Sequence, residues 1–186
     1  MSAERVAIFG GSFNPPHVAH VLAAAYVLSC ADVDRVLVVP VYRHPFAKSL
    51  APFDDRIAMC RLAFRDLSRV EISSVESSLG GDSLTVRTLE HLAAEHPEWR
   101  MRLVVGADVV HEMDRWTNPE RVRALAPPLI LARVGFALPS SARAGPAVLP
   151  DVSSSAIRAS LSRGEVVDAM VPRAVAGYVR EHGLYR

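Results

Sequence analysis

Two histidines, His17 and His20, stand three residues apart just behind a glycine pair and a proline pair in the stretch GGSFNPPHVAH, residues 10–20. That spacing at the start of a helix puts both imidazoles on one face, where they can reach the same anion. An isolated helical histidine is more often a core or capping residue, and zinc would need a third ligand that no other histidine is spaced to supply. Gly10 and Gly11 are expected to let the backbone turn sharply and approach a ligand closely, while the following helix offers free N–H groups to an anion. Far along the chain, VSSSAIR (152–158) combines a serine-rich helix start with an arginine one turn in. Its serines cap a helix, and a cap is compatible with holding phosphate oxygens, to which Arg158 adds a charge-assisted contact. The chemistry indicated is phosphate handling, without GxGxxG or GxxxxGK followed by Ser or Thr.

Elements that would position these residues are legible in the apolar pattern. Runs at 6–9, 36–39, 70–75, 103–105, 129–132 and, more weakly, 147–149 predict strands. Helical patterns lie between them at 17–30, 53–67, 83–96 and, as a broken pair, 109–125. Alternating strands and helices predict an α/β fold, a doubly wound, Rossmann-like parallel sheet with helices on both faces. Segments 154–162 and 173–182 predict a C-terminal helical appendage, and the Ser-, Ala-, Gly- and Pro-rich stretch 139–146 a loop. One domain is expected, with an α/β core over 1–150 and the helical part over 151–186. In such a sheet, ligands bind beyond the carboxyl ends of the strands, where residues 10–20 would lie.

Composition bounds the partners. The 186 residues are 50% hydrophobic, yet no apolar run approaches the roughly 20 residues that cross a bilayer, so the expectation is a soluble, cytoplasmic protein with no membrane partner. With 21 Lys and Arg against 20 Asp and Glu, a net charge of +1 leaves no electrostatic footprint for a nucleic-acid polymer. Lys48 is the sole lysine, and a chain so dominated by arginine favours planar, bidentate cations. Cys30 and Cys60 lack a CxxC spacing and are expected to be buried, reduced thiols.

GGSFNPPHVAH resembles the (H/T)xGH-type signature of the nucleotidyltransferase superfamily, in particular the nicotinate or nicotinamide mononucleotide adenylyltransferases with their GG(S/T)FDPxHxGH opening. Asn14 stands where aspartate is usual and Ala19 where glycine is usual. VSSSAIR is similar to the family's ISSTxIR. GAD at 106–108, followed eight residues later by Trp116, is similar to a G(A/M)D motif after the fourth strand. DSLTVRTLEHL (82–92) is similar to SYTxxTL, with Leu84 in place of tyrosine. Without the resemblance, Asp108 reads as a helix cap, Trp116 as core, and Asp82, Ser83 or Thr85 as caps. The loop PVYRHPFAKSLAPFDDR (40–56) fits least, lacking the PPHK of bacterial members. The likeness spans residues 6–158, and its two end motifs carry most of the specificity.

The resemblance implies adenylyl transfer from ATP to a pyridine mononucleotide with release of pyrophosphate, in NAD biosynthesis. ATP would be held by Gly10, Gly11, Ser12, Phe13, His17, His20, Gly106, Asp108, Ser153, Ser154 and Arg158. The acceptor would meet Asn14, His44, Lys48, Thr85 and Trp116, the tryptophan stacking on the pyridine ring. His20 would serve the α-phosphate in the transition state, His17 the ATP phosphates, and Ser154 and Arg158 the β- and γ-phosphates. Magnesium would arrive on ATP oxygens, with no dedicated protein ligands. Nicotinate and nicotinamide acceptors are not separated at this level, and a homo-oligomer is compatible with the sequence. Other superfamily acceptors, phosphopantetheine or a phosphorylated alcohol, remain alternatives, as does a non-catalytic nucleotide sensor.

Overall fold

A computed structural model describes residues 3–44, 49–136 and 144–186, with 144–147 described by backbone alone. Six strands, β1 (Glu4–Gly11), β2 (Arg35–Pro40), β3 (Val70–Ile72), β4 (Trp99–Gly106), β5 (Pro128–Arg133) and β6 (Ala144–Leu149), form one sheet in the order β3-β2-β1-β4-β5-β6. Every neighbouring pair is parallel. Strand order reverses between β1 and β4, so the crevice at their carboxyl ends is where such a sheet binds ligands.

Alternation along the strands sorts the core into two layers. Ala7, Phe9, Val36, Val38 and Val104 face one side, and Val6, Ile8, Leu37, Val39, Leu103 and Val105 face the other. The first side is covered by α1 (Val18–Cys30), α2 (Phe53–Phe64), α7 (Ser154–Ser162) and α8 (Arg173–Glu181). The second is covered by α4 (Thr85–Glu95) and α6 (Pro119–Leu125), with the short α3 (Val75–Leu79) and α5 (Ala107–Val110) between.

Helices α7 and α8 form the C-terminal helical appendage, and it is packed onto the sheet: Ile157, Val175, Ala176 and Val179 are buried in the same cluster as Phe9 and Phe13. Other sequence expectations are corrected. The run 70–75 stops being strand at Ile72, because the Ser73 hydroxyl accepts the Val75 N–H and turns the chain into α3. The second half of 109–125 begins at Asn118, a left-handed N-cap (φ 48°) whose side chain accepts the Arg121 N–H, with Pro119 at the first helical position. Of the segment 139–146, residues 144–146 belong to β6, an edge strand that tolerates Pro146, and the rest lies outside the described residues. Cys60 is buried and its thiol is pushed up by that burial, whereas Cys30 is exposed at the end of α1. Among the described residues no helix is long and apolar enough to cross a membrane.

The turn between β1 and α1 is not made by the glycines. Gly10 and Gly11 remain in the ladder opposite Val39 and Pro40, and the chain reverses at Phe13, whose φ is 44°. A bulky residue is rarely left-handed, and it stays so only where packing over-determines it. Phe13 is 1% exposed and meets Phe9 and Phe64 edge to face at 5.5 and 6.2 Å. Phe13→Ala should cost about 3–5 kcal/mol in urea unfolding, while Phe13→Gly, free of the left-handed penalty, should lose less despite its smaller side chain. A Gly variant weaker than the Ala variant would contradict this reading.

Candidate active site

Helix α1 begins against the buried turn of residues 13–16, and its N-cap and first turn carry the two histidines. His17 is its N-cap and is buried, and His20 sits one turn in. Their rings stack at 3.7 Å with 28° between planes, and His20 also lies 4.8 Å from the Phe13 ring. The His17 backbone N–H donates to His20 Nδ1 at 3.1 Å. A ring nitrogen that accepts carries no proton, so neutral His20 holds its proton on Nε2 and is a donor there.

Both rings are held uncharged. Burial, with the Arg133 guanidinium adding repulsion, pushes His17 down to about 4. Burial, then His17 and Arg133, holds His20 well below the ordinary imidazole range. His17 Nδ1 is buried without a hydrogen-bond partner, a polar atom that the protein alone leaves unsatisfied.

The C-terminal motif is brought directly onto this turn. Ser154 Oγ donates to the Pro15 carbonyl at 2.9 Å, and Arg158 Nη1 donates to the Asn14 carbonyl at 2.8 Å. The peptide between those two residues is cis. Ser153 is the N-cap of α7, its hydroxyl accepting the Ala156 N–H. Both hydroxyls assigned to ATP are thus bonded within the protein. What remains for a ligand is the N–H groups of Ser154 and Ser155 at the start of α7, which have no partner within the helix, and the remaining guanidinium N–H groups of Arg158.

Gly10 is exposed, and a Cβ built there would meet nothing within 4 Å, so its bareness is not demanded by protein packing and leaves open the space above the end of β1. Gly11 is closer packed, its Cβ position 3.2 Å from the Phe13 ring. At the end of β4, a side chain on Gly106 would collide with Asp108 Oδ1. Asp108 pairs through Oδ2 with Arg133 Nη1 at 2.6 Å, and Arg133 also donates to the Val152 carbonyl at 3.1 Å, just before the serine motif. Sequence reasoning misses Arg133, whose one signal is an arginine at the carboxyl end of a strand.

The acceptor candidates separate. Thr85 opens α4, next to Leu84, and Trp116 follows the 3-10 turn Met113–Arg115. Leu84 and Trp116 are half-buried on the same apolar cluster, on the sheet face opposite the histidines. The capping expected of Asp82, Ser83 or Thr85 is not found: Leu84 is the N-cap and makes no side-chain bond. Ser83 instead accepts the N–H groups of Tyr42 and Arg43, and buried Glu76 accepts Tyr42 N–H and the Thr88 hydroxyl, so both fix the loop after β2. His44 lies in that loop, half-buried, and Lys48 lies outside the described residues. Asn14, expected at the acceptor, is 1% exposed and turned into the protein. Its Oδ1 accepts Ala51 N–H at 3.0 Å and the Tyr185 hydroxyl at 2.8 Å. The Ser12 carbonyl accepts from Arg56, a 1%-exposed arginine that also binds the carbonyls of Val41, Tyr42 and Ala51. Among the described residues no cluster of three or more His, Cys, Asp or Glu could hold a metal ion.

A buried neutral histidine makes stability depend on pH. Below 6.5 the unfolded chain binds a proton at His17 that the native state refuses until about 4, so stability present above 6.5 drains away as pH falls to 4. The shift corresponds to about 3 kcal/mol at that site. Urea unfolding at pH 7 and pH 4 should show His17→Gln losing less than the wild type by an amount of this order; equal losses would show that His17 is not held neutral.

A family model described as cytidylyltransferase-like matches residues 8–160. A probable nicotinate-nucleotide adenylyltransferase of Anaeromyxobacter sp. (strain K) is 49% identical over the full length of both chains. One of Myxococcus xanthus is 41% identical, covering 98% of this chain and 95% of that one. Among solved structures, the Plasmodium falciparum nicotinic acid mononucleotide adenylyltransferase complexed with NaAD shares the fold with a TM-score of 0.85 at 19% identity, over 98% of this chain and 97% of that one. With its histidine turn, its serine–arginine helix and full-length relatives of one name, the chain belongs to the cytidylyltransferase-like family and, within it, to the nicotinate-nucleotide adenylyltransferases.

Proposed function

We propose that the chain transfers the adenylyl group of ATP to nicotinate mononucleotide, giving nicotinate adenine dinucleotide and pyrophosphate. The observation that carries this reading is the neutral, stacked His17–His20 pair, beside the open space over Gly10 and joined through the 14–15 turn to Arg158. The names of the full-length relatives support the same activity.

A phosphate oxygen of the acceptor attacks the α-phosphorus of ATP as the bond to the leaving pyrophosphate breaks in line. No protein nucleophile is needed; positioning and stabilisation of developing charge do the work. His20 Nε2–H donates to an α-phosphate oxygen and strengthens that bond as charge accumulates there. His17, with its unsatisfied nitrogen, takes a second phosphate oxygen, and Arg158 with the α7 N-terminus takes the β- and γ-phosphates. The donor set is neutral and cationic and fits phosphate rather than a metal, so magnesium would be held by ATP oxygens and water and would neutralise phosphate charge.

The two layers of the sheet divide the substrates. Phosphate-handling residues lie on the α1–α7 side and the acceptor candidates Thr85 and Trp116 on the α4 side, so the reacting groups meet over β1 and β4. Helix α4 begins with no side-chain cap and no acidic residue in its first turn, a start that favours the carboxylate of nicotinate over a neutral amide.

Pyrophosphate release should require ATP with nicotinate mononucleotide, exceeding that with nicotinamide mononucleotide, phosphopantetheine or CTP. His20→Ala should keep the fold and lose at least about a hundredfold in turnover. Release from neither pyridine nucleotide would overturn the reading, and wild-type turnover in His20→Ala would overturn the role of His20.

A further inference from the structure

Asn14 is joined to three separate segments of the chain, the loop at 49–51, helix α7 and the C-terminal tail. Its Oδ1 accepts Tyr185 Oη–H at 2.8 Å and Ala51 N–H at 3.0 Å, its Nδ2 donates weakly to the Ser49 carbonyl at 3.4 Å, and its own carbonyl accepts Arg158 Nη1 at 2.8 Å. Three residues on, the same turn delivers His17 and then His20. Tyr185 stands past the end of α8 with φ 66°, a left-handed conformation rare for a tyrosine and one that needs local packing to persist. The phenol is half-buried and lies close enough to Arg158 and Arg56 to feel both charges.

We propose that Tyr185 is a positioning residue of the adenylyl-transfer site: its hydroxyl, through Asn14, fixes the turn that sets Arg158 against the two histidines. This rests on the function proposed above. Arg158 is aimed by a carbonyl whose own residue is held by its side chain, and Oδ1 has two lone pairs, both used. Without the phenol, one lone pair of a buried oxygen is left unsatisfied, and the side chain can rotate toward whatever donor is nearest, Arg158 included. The turn then loses its unique setting while the apolar core beneath, built on Phe9, Phe13 and Phe64, stays intact. Preorganisation of the phosphate site suffers before stability does.

The bond also explains why Asn14 can stand where aspartate is usual. Both Asn and Asp present an acceptor to Tyr185 and Ala51, and they differ at the second atom, where the amide donates to Ser49 at long range. The acceptor function is what the site needs, so Asn14→Asp should conserve activity and Asn14→Leu, similar in size, should not.

The test is a double-mutant cycle with Tyr185→Phe and Asn14→Leu, together with Asn14→Asp, read as kcat and KM for each substrate beside thermal unfolding. Tyr185→Phe, which keeps the ring, should lower kcat roughly fivefold to twentyfold, the usual range for one buried hydrogen bond, with KM for nicotinate mononucleotide changed less than about twofold. Asn14→Asp should stay within about threefold of wild type. In the Asn14→Leu background, Tyr185→Phe should have no further effect on kcat, because both changes remove one bond. Wild-type kcat in Tyr185→Phe, or full additivity in the double variant, would overturn the proposal. If Asn14→Leu does not fold, the first criterion still decides. The histidine ring 1H–15N spectra give a readout independent of turnover: the His17 and His20 signals should shift in Tyr185→Phe, and unchanged signals would also overturn it. A wild-type chain that releases no pyrophosphate would refute the function instead, leaving the histidine spectra to decide the positioning.

Discussion

Two donors from the far end of the chain, Ser154 Oγ and Arg158 Nη1, close on the carbonyls of Pro15 and Asn14, and the site exists because of that junction. Residues 139 and 144 positions apart in sequence are locked within one turn, so the helix start that carries the histidines and the one that carries the serines share a fixed geometry. The Arg158 bond is charge-assisted and contributes more than the neutral Ser154 bond when desolvated, and leaving a buried carbonyl without its partner would cost about 1–3 kcal/mol. The core supports the junction from below: Ile157 of α7 and Val175 and Val179 of α8 pack in the same cluster as the Phe13 ring beneath His20. Val18 N–H, at the start of α1, is met by the Met170 carbonyl from the segment that leads into α8.

Electrostatics sets the chemistry. The histidines are kept neutral by burial and by a nearby arginine, which is itself paired with Asp108. A neutral imidazole with its proton on Nε2 offers phosphate an N–H donor, and incoming phosphate charge offsets the Arg133 repulsion that adds to burial in depressing its pKa. The site is thus poised for an anion by an environment that resists a bare cation. The Asp108–Arg133 pair links the end of β4 to the end of β5 and to Val152, so the same ion pair that shapes the field also braces the entry to α7.

Much of this was legible in the residues. Continuous apolar runs located the strands and their order of appearance, and the Gly-Gly, Pro-Pro and His-x-x-His punctuation marked the carboxyl end of β1 as the place to look. What the pattern did not carry were choices made by tertiary packing. Glycine chemistry suggested a turn at Gly10 and Gly11, but the reversal falls on Phe13, where aromatic contacts outweigh backbone preference. Asn14 reads as a ligand-facing polar residue and is instead buried, because its partners Ala51 and Tyr185 lie 37 and 171 residues away. Arg56, a formal cation, is fully enclosed and satisfied by backbone carbonyls, a fate no local window discloses. The serines were readable as caps, and Ser153 is one, while Ser154 bonds the Pro15 carbonyl instead; both hydroxyls serve the fold while leaving N–H groups for a ligand.

The central claim is that His20 is a neutral donor set in advance toward the phosphate of ATP. Its most direct test is the 15N spectrum of the imidazole rings at pH 7, recorded without and with ATP. The expected spectrum shows His20 with an unprotonated Nδ1 and a protonated Nε2, the Nε2 signal moving when ATP is added. A cationic His20 at pH 7, a proton on Nδ1, or a ring indifferent to ATP would contradict it.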